Sequence, residues 1–251
     1  VGQLLAVFVL IKSGIQIQIA AFPPWLCLLL TVVWMIGIIN AFNLLDVMDG
    51  LSAGVGLIGA LFLLTVALIN GDITLAFMLT ALAGSLLGFL RYNVYPARIY
   101  MGDSGALFIG LMLGALAMIG QYKGSHPVAL LSPILILGMP IFDTLFVMYI
   151  RFLRGLPIFL GSPDHLALRL RQWGLSVPQA VMLSYLAAVF MGGIGIAVMA
   201  VGERAAWGLL ALTGIAFLVA TLVLKRVDMM GPQEAVAPKI PADVREGQVR
   251  S

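Results

Sequence analysis

Long apolar runs separated by brief polar breaks dominate the chain. The runs cover residues 1–19, 25–42, 51–69, 73–90, 106–120, 127–150, 179–201 and 205–224. The first is interrupted and the fifth is short; the others approach the ~20 residues that a helix needs to cross hydrocarbon. None alternates at period two along its length, as a barrel strand would. The pattern predicts an all-α, polytopic integral membrane protein with about eight transmembrane segments. Asn70-Gly71-Asp72, Lys123-Gly124-Ser125-His126 and Gly202-Glu203-Arg204 read as tight turns between them. The opening run breaks at Lys12-Ser13-Gly14, and Ile15-Gln16-Ile17-Gln18-Ile19 then alternates, which predicts a short extended stretch at the surface. No basic signal region precedes it. The chain is therefore expected to be a fragment, with further membrane segments upstream.

Composition sharpens this. Of 251 residues, 62% are apolar and 10% charged, and the mean hydropathy is +1.10. Soluble domains carry about 45–50% apolar and about 25% charged residues, so a soluble globule and a disordered chain are both excluded. One cysteine and two histidines exclude a disulfide framework and a four-ligand zinc site. The net charge of +3 is small and no nucleic-acid partner is expected, but the placement of the charge is informative. With the break at 43–50 in the cytoplasm, Arg91, Arg98, Arg151, Arg154, Arg169, Arg171, Lys225, Arg226, Lys239, Arg245 and Arg250 fall on that side. Lys12, Lys123 and Arg204 fall on the other. Such a bias fixes the orientation, with both chain ends expected in the cytoplasm. Residues 1–226 read as one transmembrane domain. The stretch 227–251, with Pro232, Pro238 and Pro241 among scattered charges, reads as a disordered cytoplasmic tail.

Nearly all acidic residues outside the tail lie in the three inner breaks. Asp72 and Glu203 are the exceptions and read as solvated turn residues. The first break, Asn40-Ala-Phe-Asn43-Leu-Leu-Asp46-Val-Met-Asp49-Gly50-Leu51, repeats an oxygen-bearing side chain every three residues. On an ideal helix each such step falls about 60° short of a turn, so only adjacent pairs converge unless the helix end tightens or unwinds. Two carboxylates beside two amides imply a wet cavity, a bound cation, or a helix end that simply faces water. The second break, Arg91-Tyr-Asn93-Val-Tyr-Pro96-Ala-Arg98-Ile-Tyr-Met-Gly102-Asp103-Ser104-Gly105, enters the next span at a point where Asp103 or Ser104 can cap it. The same geometry, with Arg91 and Arg98 beside it, suits phosphate. Asp143 lies inside a span, about 12 Å from its inner end, as a functional acid or one half of a structural pair. In the third break Asp164-His165-Leu-Ala-Leu-Arg169-Leu-Arg171 predicts a short amphipathic helix starting after Ser162-Pro163, with His165 and Arg169 on one face.

These blocks resemble the polyprenyl-phosphate N-acetylhexosamine-1-phosphate transferases, the superfamily of MraY and WecA. Asn40 to Gly54 follows the N-A-x-N-x-x-D-G-x-D-G-L-A-x-G block, with Val47 in place of a frequent glycine. Asn93 to Gly105 follows N-x-x-P-A-x-I-F-M-G-D-x-G, and Pro140-x-x-Asp143-Thr144 resembles a third, weaker block. His165-Leu-Ala-Leu-Arg169-Leu170 retains only the first His, the Arg and the Leu of the H-x-H-H-R-L motif and lacks the MraY run of three histidines, so the WecA-like branch fits better. The family's Asp-Asp motif is expected upstream of Val1.

The resemblance implies attack of a membrane-bound polyprenyl phosphate on the β-phosphorus of a UDP-N-acetylhexosamine at the cytoplasmic face, with release of UMP. It implies Mg²⁺, with Mn²⁺ as an alternative, held by Asp103 with Asn43. Asp46, Asp49 and Asp103 are the candidate catalytic residues, Asp46 orienting or deprotonating the attacking phosphate. The candidate substrate-binding residues are Asn40, Asn43, Asn93, Arg98, Asp143, His165 and Arg169. Among these, Asn93 with Asp49 is expected at the nucleotide and His165 with Arg169 at the diphosphate or sugar, while Tyr92 or Tyr95 stacks on uracil. The lipid tail is expected in an apolar groove between spans, and a homodimer is among the arrangements open to the protein. The competing class is a cation-coupled transporter, which predicts internal repeats and polar residues near the midplane; the chain shows no repeat and its acids gather at one face. No Walker-type loop is present.

Overall fold

The computed structural model describes residues 2–124, 126–157 and 164–227. The 227–251 tail reading, apart from Val227, and the Ser162-Pro163 helix start therefore lie outside the described residues. The elements are α1 (Gly2–Lys12), α2 (Pro24–Leu45), α3 (Leu51–Ile69), α4 (Ile73–Asn93), α5 (Gly102–Ile119), a 3-10 turn (Pro127–Leu131) running into α6 (Ser132–Ile136), α7 (Gly138–Leu153), α8 (Leu166–Gln172), α9 (Val177–Ala200) and α10 (Glu203–Leu224). All regular structure among the described residues is helical, as a chain in hydrocarbon requires if each backbone group is to be satisfied within its own segment.

Six of these helices are long and apolar enough to cross a membrane, and the α6–α7 region makes a seventh if the pair counts as one span. The expected count of about eight fails at the first run. There, α1 has 11 residues, about 16 Å at 1.5 Å per residue, roughly half the hydrocarbon thickness. The alternating isoleucines that follow form no strand; Ile17 N–H donates to Thr31 Oγ1 at 2.9 Å instead. The seventh span is broken, with α6 and α7 bent by 75°. Pro140 cannot donate to the Ile136 carbonyl one turn back, and Gly138 sits at the bend, where a Cβ would fall 2.0 Å from Met191 Cε. Conversely, the short fifth run is a full 18-residue helix because Gly102 to Gly105 join it.

Three close approaches position the helix ends that carry the acidic blocks. Gly110 and Gly114, four apart on α5, let α2 in: a Cβ on Gly110 would lie 2.7 Å from Ile39 Cα, and Trp34 Nε1–H donates to Gly114 C=O at 3.0 Å. This is the small-xxx-small packing that membrane helices use to bring backbones together. Between α2 and α3 the chain reverses at Gly50, whose φ of +78° is the left-handed region that suits glycine. Ser52 Oγ closes the reversal by donating to Phe42 C=O at 3.2 Å. Finally, Tyr185 of α9 lies against Gly54, where any Cβ would overlap its ring, and its hydroxyl donates to Gly50 C=O. α9 itself starts with a Ser176/Gln179 capping box. α10 is the least buried of the six spanning helices.

Candidate active site

The C-terminal end of α2 unwinds within the acidic block. Helical geometry stops at Leu45, and Asp46 takes φ −78° and ψ 53°, its N–H reaching back only to Asn43 C=O. The ideal-helix restriction on the three-residue repeat is thereby lifted. Asn43 remains in the last turn, Asp46 leaves the axis, and Asp49 sits in the turn before α3.

Across from this end, α5 starts at Gly102, with Asp103 in its first turn. No side chain caps α5, so the capping alternative for Asp103 is not realised. Its Oδ1 instead accepts from Asn43 Nδ2 at 3.1 Å. The α2–α5 approach through Gly110 makes that pairing possible. Asp103 is exposed, whereas Asp46 and Asp49 are half-buried. The Asp46 carboxyl is pushed up to about 6, first by desolvation and then by the negative charges of Asp103 and Asp49. The charges of Asp103 and Asp49 thus bear on Asp46 at one end of the bundle.

The remaining members of the two blocks hold this end together. Asp49 Oδ2 accepts the Ala97 N–H at 3.0 Å. Asn93 is buried, with Oδ1 accepting from Gly50 N–H at 3.0 Å and Nδ2 donating to Ile99 C=O at 2.9 Å. Both ends of its amide are spent on backbone. Arg98 is exposed, as are Tyr92 and Tyr95, and the Arg98 N–H donates to Tyr92 C=O at 2.8 Å. Asn40 stands apart on the face of α2 that meets α1, exchanging hydrogen bonds with Gln3 at 3.2 Å and donating to Ile36 C=O at 2.7 Å.

A second cluster forms where α7 meets α8. Asp143 Oδ2 lies 2.7 Å from His165 Nδ1, and Oδ1 accepts the Leu166 N–H at 2.6 Å. Arg169 is wholly buried: Nη1 donates to Leu224 C=O and Val227 C=O at 2.9 Å each, Nη2 to the Asp164 carboxylate, and its guanidinium lies 5.3 Å from the Phe146 ring centre. Arg154 reaches both oxygens of Asp164 at 3.0 and 3.1 Å. Among the described residues no hydrogen bond or ion pair joins Asp143 or His165 to the Asp46/Asp49/Asp103 group. Sequence reasoning missed Asp164 and Tyr185 as structural partners; the spacing of Arg169 from Asp164 carried a weak hint of the first, and nothing local carried the second.

Among the described residues no set of three or more His, Cys, Asp or Glu side chains is arranged to hold a metal ion. The inner cluster offers a divalent cation one exposed carboxylate with an amide beside it, in a field of two further carboxylates. That suits a cation that takes most of its oxygens from water and phosphates. An apolar cleft of about 720 Å³ lies between α7, α8, α9 and α10, lined by Phe142, Leu170, Leu186, Phe217 and Val223 among others.

Residues 1–121 match the family described as glycosyl transferase family 4. The chain is 37% identical over 192 residues to a probable undecaprenyl-phosphate N-acetylglucosaminyl 1-phosphate transferase of Bacillus subtilis, covering 73% of this chain and 54% of that protein. It is 37% identical over 214 residues to a decaprenyl-phosphate N-acetylglucosaminephosphotransferase of Mycolicibacterium smegmatis, covering 74% and 53%. It is 42% identical over 137 residues to a phospho-N-acetylmuramoyl-pentapeptide-transferase of Clostridium kluyveri, covering 53% and 41%. The chain spans about half the length of these curated relatives.

Proposed function

The chain belongs to glycosyl transferase family 4, and from that premise we propose that the protein transfers N-acetylglucosamine 1-phosphate from its UDP conjugate to a polyprenyl phosphate. The observation that carries the proposal is the meeting of Asn43, Asp46, Asp49 and Asp103 from two helices and one turn at a single end of a membrane bundle. Reaction between a lipid phosphate and a sugar nucleotide brings two anions together, which demands positioning and charge neutralisation more than covalent chemistry from the protein. N-acetylglucosamine is the sugar named for the relatives of Bacillus subtilis and Mycolicibacterium smegmatis, which match about three quarters of this chain. The arginines that flank the cluster, Arg91 and Arg98, with Arg151, Arg154, Lys225 and Arg226 at the same ends of the spans, support a cytoplasmic site by the positive-inside rule.

In the reaction, an oxygen of the lipid phosphate bonds to the β-phosphorus, the bond to the bridging α–β oxygen breaks, and UMP leaves with that oxygen. Asp103, with Asn43 as a further ligand or a diphosphate contact, would hold Mg²⁺ or Mn²⁺, which supplies charge neutralisation on the phosphates when bound. Asp46 orients the attacking phosphate from the unwound end of α2. Asp49 shapes the nucleotide side by fixing through Ala97 N–H the segment that carries the exposed rings of Tyr92 and Tyr95. The lipid tail remains in the bilayer against the spans. Membranes containing the full-length protein, given polyprenyl phosphate and a panel of UDP-sugars, are expected to release UMP from UDP-N-acetylglucosamine. Asp103→Asn is expected to abolish that release without loss of expression; undiminished turnover would remove Asp103 from the site.

A further inference from the structure

Asp143 and Arg169 belong to a frame around His165, and their surroundings decide what each can touch. Asp143 is 1% exposed and Arg169 is 0% exposed. A carboxylate at that depth is costly unless its oxygens are satisfied, and both are: Oδ2 by His165 Nδ1 at 2.7 Å, Oδ1 by the Leu166 N–H at 2.6 Å. No surface of Asp143 is left for a ligand. Arg169 is equally committed, tying α8 to two carbonyls at the end of α10 and to Asp164, which also binds Arg154. To reach a phosphate it would have to abandon these bonds and give up its hold on Asp164. The short helix α8 is therefore pinned by Asp143 at its first residue and by Arg169 in its body.

His165 precedes that helix and is held by the same carboxylate. An ionised carboxylate only accepts hydrogen bonds, so the ring must donate from Nδ1. Nε2 has no hydrogen-bond partner among the described residues. His165 is 3% exposed, and Nε2 is not among the sealed orphan atoms of the described residues, which are His126 Nδ1, Ser132 Oγ and Thr144 Oγ1. We propose that Asp143 is a positioning residue that fixes the Nδ1–H form of His165 and aims Nε2 at the sugar nucleotide, and that His165 is the one member of this cluster to touch it. The proposal rests on the transferase reading above for the identity of the ligand; the frame itself does not.

Asp143→Asn preserves size and one acceptor but presents an amide N–H to the ring, which favours the opposite tautomer, Nε2–H. With two histidines in the chain, His165 can be assigned in ¹⁵N-histidine spectra of the purified full-length protein by comparison with His126→Gln. The neutral wild-type ring is expected to carry its proton on Nδ1 and the Asp143→Asn ring on Nε2. A wild-type Nε2–H ring, or one tautomer shared by both proteins, overturns the proposal. This readout needs no turnover, so it stands even if no UDP-sugar is consumed, in which case only the transferase reading falls. In the UMP-release assay, Asp143→Asn is expected to lower kcat on the order of 10–100-fold and to shift the pH profile, while adding little to the loss already caused by His165→Ala. Losses that multiply would show that Asp143 acts independently and would likewise overturn the proposal. Should Asp143→Asn fail to accumulate, the wild-type tautomer decides alone.

Discussion

Asn93 spends its whole amide on two backbone groups, Gly50 N–H and Ile99 C=O, and so joins the turn before α3 to the turn before α5. Asn93→Ala would orphan both groups, at about 1–3 kcal/mol each, and is expected to lower the thermal midpoint in detergent before any effect on substrate affinity is read. Arg169 poses the same choice in charged form. Arg169→Ala breaks a buried pair, which costs about 3–5 kcal/mol, so a large stability loss is expected, with the KM for sugar nucleotide unchanged in whatever folded protein remains. The position of Arg169 one turn from His165 suggested a shared ligand in the sequence. Two of its partners, Leu224 and Val227, lie 55 and 58 residues away, and no local pattern reports a contact at that separation. Asn43 and Asp103 were legible as polar residues at the inner ends of two spans; that they bond to each other was not.

Helices make that bond possible. α2 and α5 meet through Gly110 and Gly114, whose missing side chains let Ile39 and Met35 approach. Gly110→Ala puts a carbon 2.7 Å from Ile39 Cα and 2.9 Å from Ile38 O, backbone atoms that cannot rotate away. The helices must separate, at about 1–3 kcal/mol, and Asn43 with Asp103 separates with them. A fall in both stability and UMP release is expected. Gly84→Ala on α4, where nothing lies within 4 Å of the new carbon, is the matched control and is expected to change neither. Uninterrupted apolar runs gave α3, α4, α9 and α10 nearly to their ends, because length and hydropathy alone define a span. Where the backbone itself intervenes, as at the Pro140 bend or the unwinding after Leu45, composition is silent.

At the scale of the molecule, orientation follows from which turns carry the arginines. The single native thiol, Cys27, is buried, so a Cys27→Ser background leaves introduced cysteines as the sole reporters. Arg98→Cys is expected to react with an impermeant thiol reagent only from the cytoplasmic side, and Lys123→Cys only from the opposite one. The reverse pattern would invert the whole arrangement and put the carboxylate cluster outside the cell.

The 75° bend between α6 and α7 also bears on the lipid around the protein. A straight helix answers a thicker or thinner bilayer by tilting as one rod, but a crossing made of two angled halves can answer by opening or closing its elbow. Asp143 lies on α7, five residues past the elbow glycine Gly138, so any such flexing carries the His165 frame with it. Reconstitution into phosphatidylcholines of increasing acyl length is therefore expected to tune turnover, with an optimum at one membrane thickness and a fall to either side.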